Sequence, residues 1–326
     1  MKQLTTIIFI LFFSAAMLTA QELSNIPASF VDIGFGARPV ALGGAYTALA
    51  NDVHSTLWNP AGMVSAKNSQ ASFTYTNQLG LFVYNSFSAI MPFSESQQAL
   101  GIAVISSGDN ALREFTVQAS YGRTFEQQFK IGVTAKYRNA TFGNNTLNGA
   151  EYVLFEQDEI ADGLANQIKG SANGFGFDIG LQYEFSPEIK FGVMAKDVYA
   201  PVFWNSSTQS TTAKAKGTYK ETLPAELAIG TALQMTENVV ITSDYHPALS
   251  KTTTNALHSG IEVKLLDMIA LRGGIQQIFN NDAKAKYTMG MGFDYGLGKN
   301  FRVLLDYTFM SEFLANTQRL SLGVEF

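Results

Sequence analysis

Phe175-Gly176-Phe177-Asp178-Ile179-Gly180-Leu181-Gln182-Tyr183-Glu184-Phe185 decides the fold. Every odd position is large and apolar, and every even position is glycine, a charge or an amide. In a β-strand successive side chains point to opposite faces, so this segment presents one apolar face and one small or polar face. Lipid on one side and a polar lumen on the other call for that division. The same period runs through Phe115–Tyr121, Phe129–Tyr137, Tyr287–Tyr295, Phe301–Phe309 and Leu320–Phe326.

About fourteen such segments follow one another between residues 70 and 326. The expected fold is therefore all-β: a transmembrane antiparallel β-barrel of about 14 strands over residues 69–326. Connections support this by their parity. Tight turns are expected at 126–127, 187, 235–236, 267 and 298–299, each after an even strand, and long connections at 142–172, 199–221, 247–255, 279–284 and 311–316, each after an odd one. Long loops on one side and short turns on the other are the asymmetry of outer-membrane barrels. A closed barrel is also the only sheet whose backbone is fully paired within lipid.

Composition agrees. Apolar residues make up 46% of the 326-residue chain and charged residues only 15%, with 28 Gly, 25 Phe and 13 Tyr. There is no cysteine, which excludes disulfides and thiolate metal centres. The net charge of −5 carries no footprint of nucleic-acid binding. Met1-Lys2-Gln3, the apolar run Thr5–Leu18 and Thr19-Ala20 read as a secretory signal peptide over 1–20, placing the protein in the outer membrane of a Gram-negative bacterium.

Residues 21–68 lack alternation and are rich in small side chains, with a short helix expected over Ala45–Leu57. They read as a plug. The wall has room for one, because Gly132, Gly176, Gly180, Gly192, Gly230, Gly260, Gly274, Gly290 and Gly292 all take inward parity. The plug motif comprises Gly43, Gly44, Asn51, Asp52, Trp58, Asn59, Pro60 and Ala61. With Gly36-Ala37-Arg38 and Ala41-Leu42 it resembles the N-terminal signature of the PorV/PorQ outer-membrane proteins, relatives of the FadL-type transporters. That resemblance implies a FadL-like barrel with an N-terminal hatch. It also implies either partnership with proteins of type IX secretion or related surface export, or uptake of hydrophobic small molecules such as fatty acids and aromatic hydrocarbons.

No constellation for catalysis stands out, and neither an enzyme, a cofactor nor a metal site is expected. His246 and His258 fall on lumen-facing positions of neighbouring strands, where a hydrogen-bonded polar network is the expectation. The segment from Leu81 to Met91 is apolar on both faces. Phe82, Tyr84 and Ile90 there either pack against the plug or line a hydrophobic path. Tyr199, Phe203 and Trp204 are aromatic anchors for a partner in a long loop. The terminal strand ends on Phe326, which resembles the signal read by the barrel-assembly machinery.

Overall fold

The computed structural model describes residues 30, 32–80, 82–93, 97–109, 111–126, 128–144, 168–208, 216–250, 253–266, 268–279, 284–298, 301–312 and 315–326. The signal run over 1–20, the first residues of the plug segment and the acid-rich stretch with Glu151, Glu156 and Asp158 lie outside them.

Among the described residues, sixteen strands form one sheet: β1 Gln70–Gln78, β2 Phe82–Phe93, β3 Gln98–Gly108, β4 Leu112–Phe125, β5 Phe129–Phe142, β6 Ile168–Glu184, β7 Ile189–Tyr199, β8 Pro201–Thr208, β9 Lys216–Thr222, β10 Glu226–Thr236, β11 Val239–His246, β12 Ala256–Leu265, β13 Ile269–Ile278, β14 Lys286–Gly296, β15 Arg302–Ser311 and β16 Thr317–Glu325. Fourteen of them close the ring. β1 to β7 follow in order, β7 pairs with β10, and β16 returns to β1 with Phe73 opposite Leu322.

The remaining pair is a correction to the expected loop at 199–221. β6 has 17 residues, more than the 9–11 or so that a tilted strand needs to cross. Its lower part, Phe177–Glu184, pairs with β7, and its upper part, Ile168–Gly174, pairs with β8. β8 in turn pairs with β9, so a hairpin continues the wall beyond the membrane on the long-loop side.

The alternation sorts as the lipid boundary demands. Along β4, Phe115, Val117 and Tyr121 are exposed, while Thr116, Gln118 and Ser120 are buried. Along β6, Phe175, Phe177 and Ile179 face out, while Asp178 and Gln182 are buried. Exposed apolar side chains on this scale would be an aggregation hazard in water; around a closed barrel they form the lipid surface.

Ile179→Arg, near the middle of β6 on the lipid face, should cost about 2–4 kcal/mol. Glu237→Arg, in a tight turn, should cost almost nothing. Heat-modifiable mobility on gels reads the assembled fraction, and equal yields for the two variants would contradict the assignment of faces.

Candidate functional site

Residues 32–66 fill the lumen. Helix α1 (Ala37–Ala41), helix α2 (Ser55–Trp58) and a 3-10 turn (Pro60–Ser65) are joined by irregular backbone. The expected helix over Ala45–Leu57 is therefore replaced by turns with one short helix at its end. The cause lies in the wall. Asp244 Oδ2 on β11 accepts the amides of Tyr46 and Thr47, both at 2.8 Å. Gln182 Nε2 on β6 donates to the carbonyls of Thr47, Ala48 and Ala50 at 3.1, 3.3 and 2.9 Å. These bonds take up backbone groups that a continuous helix would have paired internally.

The same substitution of wall for ladder recurs around the ring. Thr288 Oγ1 donates to Ala41 O and accepts from Gly43 N. Thr308 Oγ1 donates to Ala37 O, and Ser321 Oγ accepts from Ala37 N. Gln118 Nε2 donates to Thr56 O, Gln70 Oε1 accepts from Val53 N, and Arg319 Nη2 donates to Ile33 O. Asn59 acts in both directions. Its Oδ1 accepts the amide of Ala61 at the head of the 3-10 turn, and its Nδ2 donates to Thr47 O and to Leu181 O of the wall. Pro60 follows, holding Asn59 extended at φ −152° and ψ 103°.

Inward glycines make the close approach. A Cβ at Gly132 would lie 2.3 Å from Ala61 N, at Gly180 2.1 Å from Asn59 Oδ1, and at Gly274 2.1 Å from Gly43 N. Gly192, Gly230, Gly260 and Gly290 would likewise meet plug atoms within 3.0 Å, at Thr47, Thr47, Leu42 and Ala41. Gly176 and Gly292 serve another purpose: beside them run the guanidinium groups of Arg138 and Arg272. Gly43 itself adopts φ +68°, and a Cβ there would lie 2.7 Å from Ile275 O, a conformation and a space that suit only glycine.

A charge latch ties plug to wall on the short-turn side. Arg38 forks onto Glu262 of β12, with Nε at 2.9 Å and Nη2 at 3.0 Å, while its Nη1 donates to Asp52, Asn51 and Tyr46 Oη. Glu262 also accepts Arg272 Nε at 2.6 Å, and Arg272 Nη1 reaches Asp306 at 2.5 Å. Burial opposes the charge on Asp52, but His54 and Arg38 hold its carboxyl below the usual range. Burial likewise opposes the charge on Asp32, yet its 2.5 Å bond to Lys196 of β7 keeps the carboxyl at about 2.

A second network sits towards the long-loop side. Lys136 bridges Asp178 and Asp197, and Arg138 Nη2 contacts both oxygens of Asp197 at 2.8 Å. Strict alternation places Asp197 on the lipid face, so the sequence reading missed it. A bulge turns it inward: residues 196–198 oppose Asp178 alone, with Asp197 at φ +52°. A carboxylate at a lipid-facing parity was the available signal.

The apolar residues of β2 divide. Ile90 is buried with Val53, Met63 and Ala99, and Tyr84 packs by Phe35, Leu57 and Ala103. Phe82 is 54% exposed at the rim and joins neither group. Trp58 donates its indole N–H to Phe35 O and stands edge-on to Tyr46. Two cavities flank the plug. The one on the long-loop side has about 50 Å³ and is lined by Phe30, Phe35 and Tyr84 together with Asp32, Glu114, Lys136, Arg138 and Asp197. The one on the short-turn side has about 410 Å³ and a polar lining that includes Arg38, Asp52, Glu262, Lys264 and Arg302.

Tyr199 at the end of β7 and Phe203 on the hairpin are exposed, with Lys220 over the Phe203 ring. Trp204 corrects the expectation of an exposed anchor. It is 5% exposed, its Nε1 donates to Glu221, and it packs beside Phe30, Phe142 and Leu223. Pairing of β8 with β6 and β9 turns it to the inner side of the hairpin.

Ring, lumen seat and loop asymmetry define a plugged outer-membrane β-barrel. The family model described as type IX secretion system membrane protein PorP/SprF matches residues 51–325, and the chain belongs to that family. The matching model is thus PorP/SprF and not PorV/PorQ, and of the motif before β1 it takes in only the part from Asn51 onward. In fold the chain is similar to the Ralstonia pickettii toluene transporter TbuX, at TM-score 0.61 and 13% identity over 91% of this chain and 98% of that one. It is similar to the CymD monoaromatic hydrocarbon channel at 0.60 and 14%, with the same coverage. A Pseudomonas aeruginosa FadL homologue matches at 0.60 and 11%, over 92% of this chain and 99% of that one. No curated protein sequence matches the chain.

Arg38→Ala should leave Asp52 without its cation partner and Glu262 with Arg272 alone. Breaking a buried pair of this kind costs about 3–5 kcal/mol. Planar-bilayer recordings should show steady conductance in the variant and closure in the parent; equal closure would contradict the latch. Acid should act on the same contacts. The depressed carboxyls of Asp32 and Asp52 contribute fully above their ordinary value of 3.8 and lose that contribution as pH falls through about 2 for Asp32. Proteolytic access to the plug should rise as pH falls below 4. A rise already complete at pH 6 would contradict this assignment.

Proposed function

We propose that this barrel is a sealed, non-enzymatic component of type IX secretion that works through protein partners at its extracellular hairpin. The lumen carries this reading. Plug backbone is bonded to wall side chains from β1, β4, β6, β11, β14, β15 and β16. A cavity on the long-loop side has about 50 Å³, and five of its lining residues are charged. A dry apolar cavity of about 150 Å³ is what benzene occupies in a protein interior. Membership of the PorP/SprF family supports secretion-system partners, and the fold neighbours supply architecture alone at their level of identity.

Phe203 with Lys220, and Tyr199 below them, form the partner surface in this reading; Trp204 holds the hairpin in shape from behind. Phe326, 60% exposed at the end of β16, is the contact offered to the assembly machinery, and the apolar outer belt contacts outer-membrane lipid.

Phe203→Ala with Lys220→Ala tests this without disturbing the Trp204 cluster. Co-purification of secretion-system proteins and surface display of secreted cargo should fall at least tenfold, with barrel assembly unchanged. Uptake of labelled toluene should be the same in cells with and without the protein. Intact secretion in the variant, together with toluene uptake that depends on the protein, would replace this reading with a hydrocarbon channel.

A further inference from the structure

β9 ends the sheet. The strand order runs β7-β6-β8-β9 and stops, so among the described residues the far side of β9 pairs with no strand. Every residue of β9 except Glu221 is exposed. The hairpin stands beyond the membrane on the long-loop side, which makes this a free strand edge in water. Such an edge is a template for another strand.

The register shows which groups the edge offers. Leu223 donates its amide to Ala200 O at 2.9 Å. From that pair the β8–β9 ladder runs without a bulge, with Glu221 opposite Val202, Tyr219 opposite Trp204 and Gly217 opposite Ser206. Opposed residues of an antiparallel ladder alternate between pairs that exchange both bonds and pairs that exchange none. Glu221, Tyr219 and Gly217 therefore spend their backbone on β8. Lys216, Thr218, Lys220 and Thr222 turn their N–H and C=O groups to the free edge.

The side chains of those four share one face, with Phe203 opposite Lys220. Glu221 bonds Trp204 on the other face and holds the strand from behind. Lys169 of β6 stands opposite Ser207, itself opposite Lys216, and so joins the first face. Across β8, β9 and the upper part of β6 this face carries Lys169, Lys216 and Lys220 and no carboxylate. A second copy of β9 is a poor occupant. Antiparallel pairing about Thr218 would set Lys216 against Lys220 twice, and like charges directly opposite are destabilising. An extended segment with carboxylates opposite both lysines meets the backbone and the charge together.

We propose that β9 takes up an acidic strand of a protein partner by edge addition. The inference rests on the hairpin as partner surface and specifies how the partner is held. Its backbone bonds to Lys216, Thr218, Lys220 and Thr222, and its carboxylates face Lys216 and Lys220.

The probe is a labelled synthetic peptide, Thr-Glu-Val-Thr-Val-Glu-Thr, whose glutamates fall opposite Lys220 and Lys216. Fluorescence anisotropy follows its binding to the full-length protein in detergent. Saturable binding is expected. N-methylation of both glutamates and the central threonine, whose amides face β9, should abolish it. The Lys216→Glu, Lys220→Glu variant should bind roughly tenfold more weakly and prefer a peptide with lysines in place of the glutamates. Thr218→Pro removes an outward N–H and no bond to β8, so it should abolish binding while heat-modifiable mobility stays. Absence of saturable binding, or binding indifferent to N-methylation or to charge, overturns strand addition. So does binding that appears only when residues 149–165 are deleted, which would give the edge to the chain's own acid-rich stretch. Co-purification separates this inference from the reading beneath it. If Phe203→Ala with Lys220→Ala abolishes capture of secretion-system proteins and Thr218→Pro leaves it intact, the hairpin stays the partner surface and strand addition fails. If neither variant changes capture, the hairpin reading itself fails.

Discussion

Irregular backbone can lie at membrane depth only when protein satisfies every polar group it exposes. The segment inside this barrel is mostly irregular, and its structure depends on that constraint. Gln182 alone answers three of its carbonyls, Asp244 two of its amides, and Thr288 one of each. Wall side chains do here what a helix ladder does elsewhere. The segment therefore takes its conformation from its container, and wall side chains bond even its short helices, at Ala37, Ala41 and Thr56.

Shape and charge follow from the same requirement. Side-chain hydroxyls and amides reach plug backbone only if the two surfaces nearly touch, and the inward glycines allow that contact at Ala61, Asn59, Thr47, Leu42 and Gly43. Charges are then shut away from water and must be paired. Arg38, Glu262, Arg272 and Asp306 form a chain on one side, and Lys136, Arg138, Asp178 and Asp197 a cluster on the other. The fold is shared with hydrocarbon channels, whereas the family is a secretion family.

Much of this was legible from the residues. Lipid outside and polar lumen inside impose a period of two that few other environments impose, and the strand boundaries follow to within a few residues. Glycines at inward parity announced an occupant because a wall without side chains has to be filled. What could not be read were departures that tertiary contacts create. Ala45–Leu57 has helical composition, but Asp244 and Gln182 capture its backbone. Trp204 has the look of a loop anchor until β8 pairs with β6 and turns it inward. Asp197 required a bulge that parity cannot express. The resemblance to PorV/PorQ rested on a motif spread from Gly36 to Ala61, and within it the seat itself constrains Gly43, Asn59 and Pro60 through contact with β13 and β6. Such a motif reports the architecture of the plug more than the partner of the barrel.

Hydrogen–deuterium exchange of the purified protein, read by mass spectrometry over residues 37–62, tests the central claim most directly. Amides bonded to the wall should exchange as slowly as those of β5 and β14, and those of Tyr46 and Thr47 should speed up when Asp244 is changed to Ala. Exchange across 37–62 at the rate of the exposed turns, with the strands still protected, would contradict a plug whose backbone is held by the barrel wall.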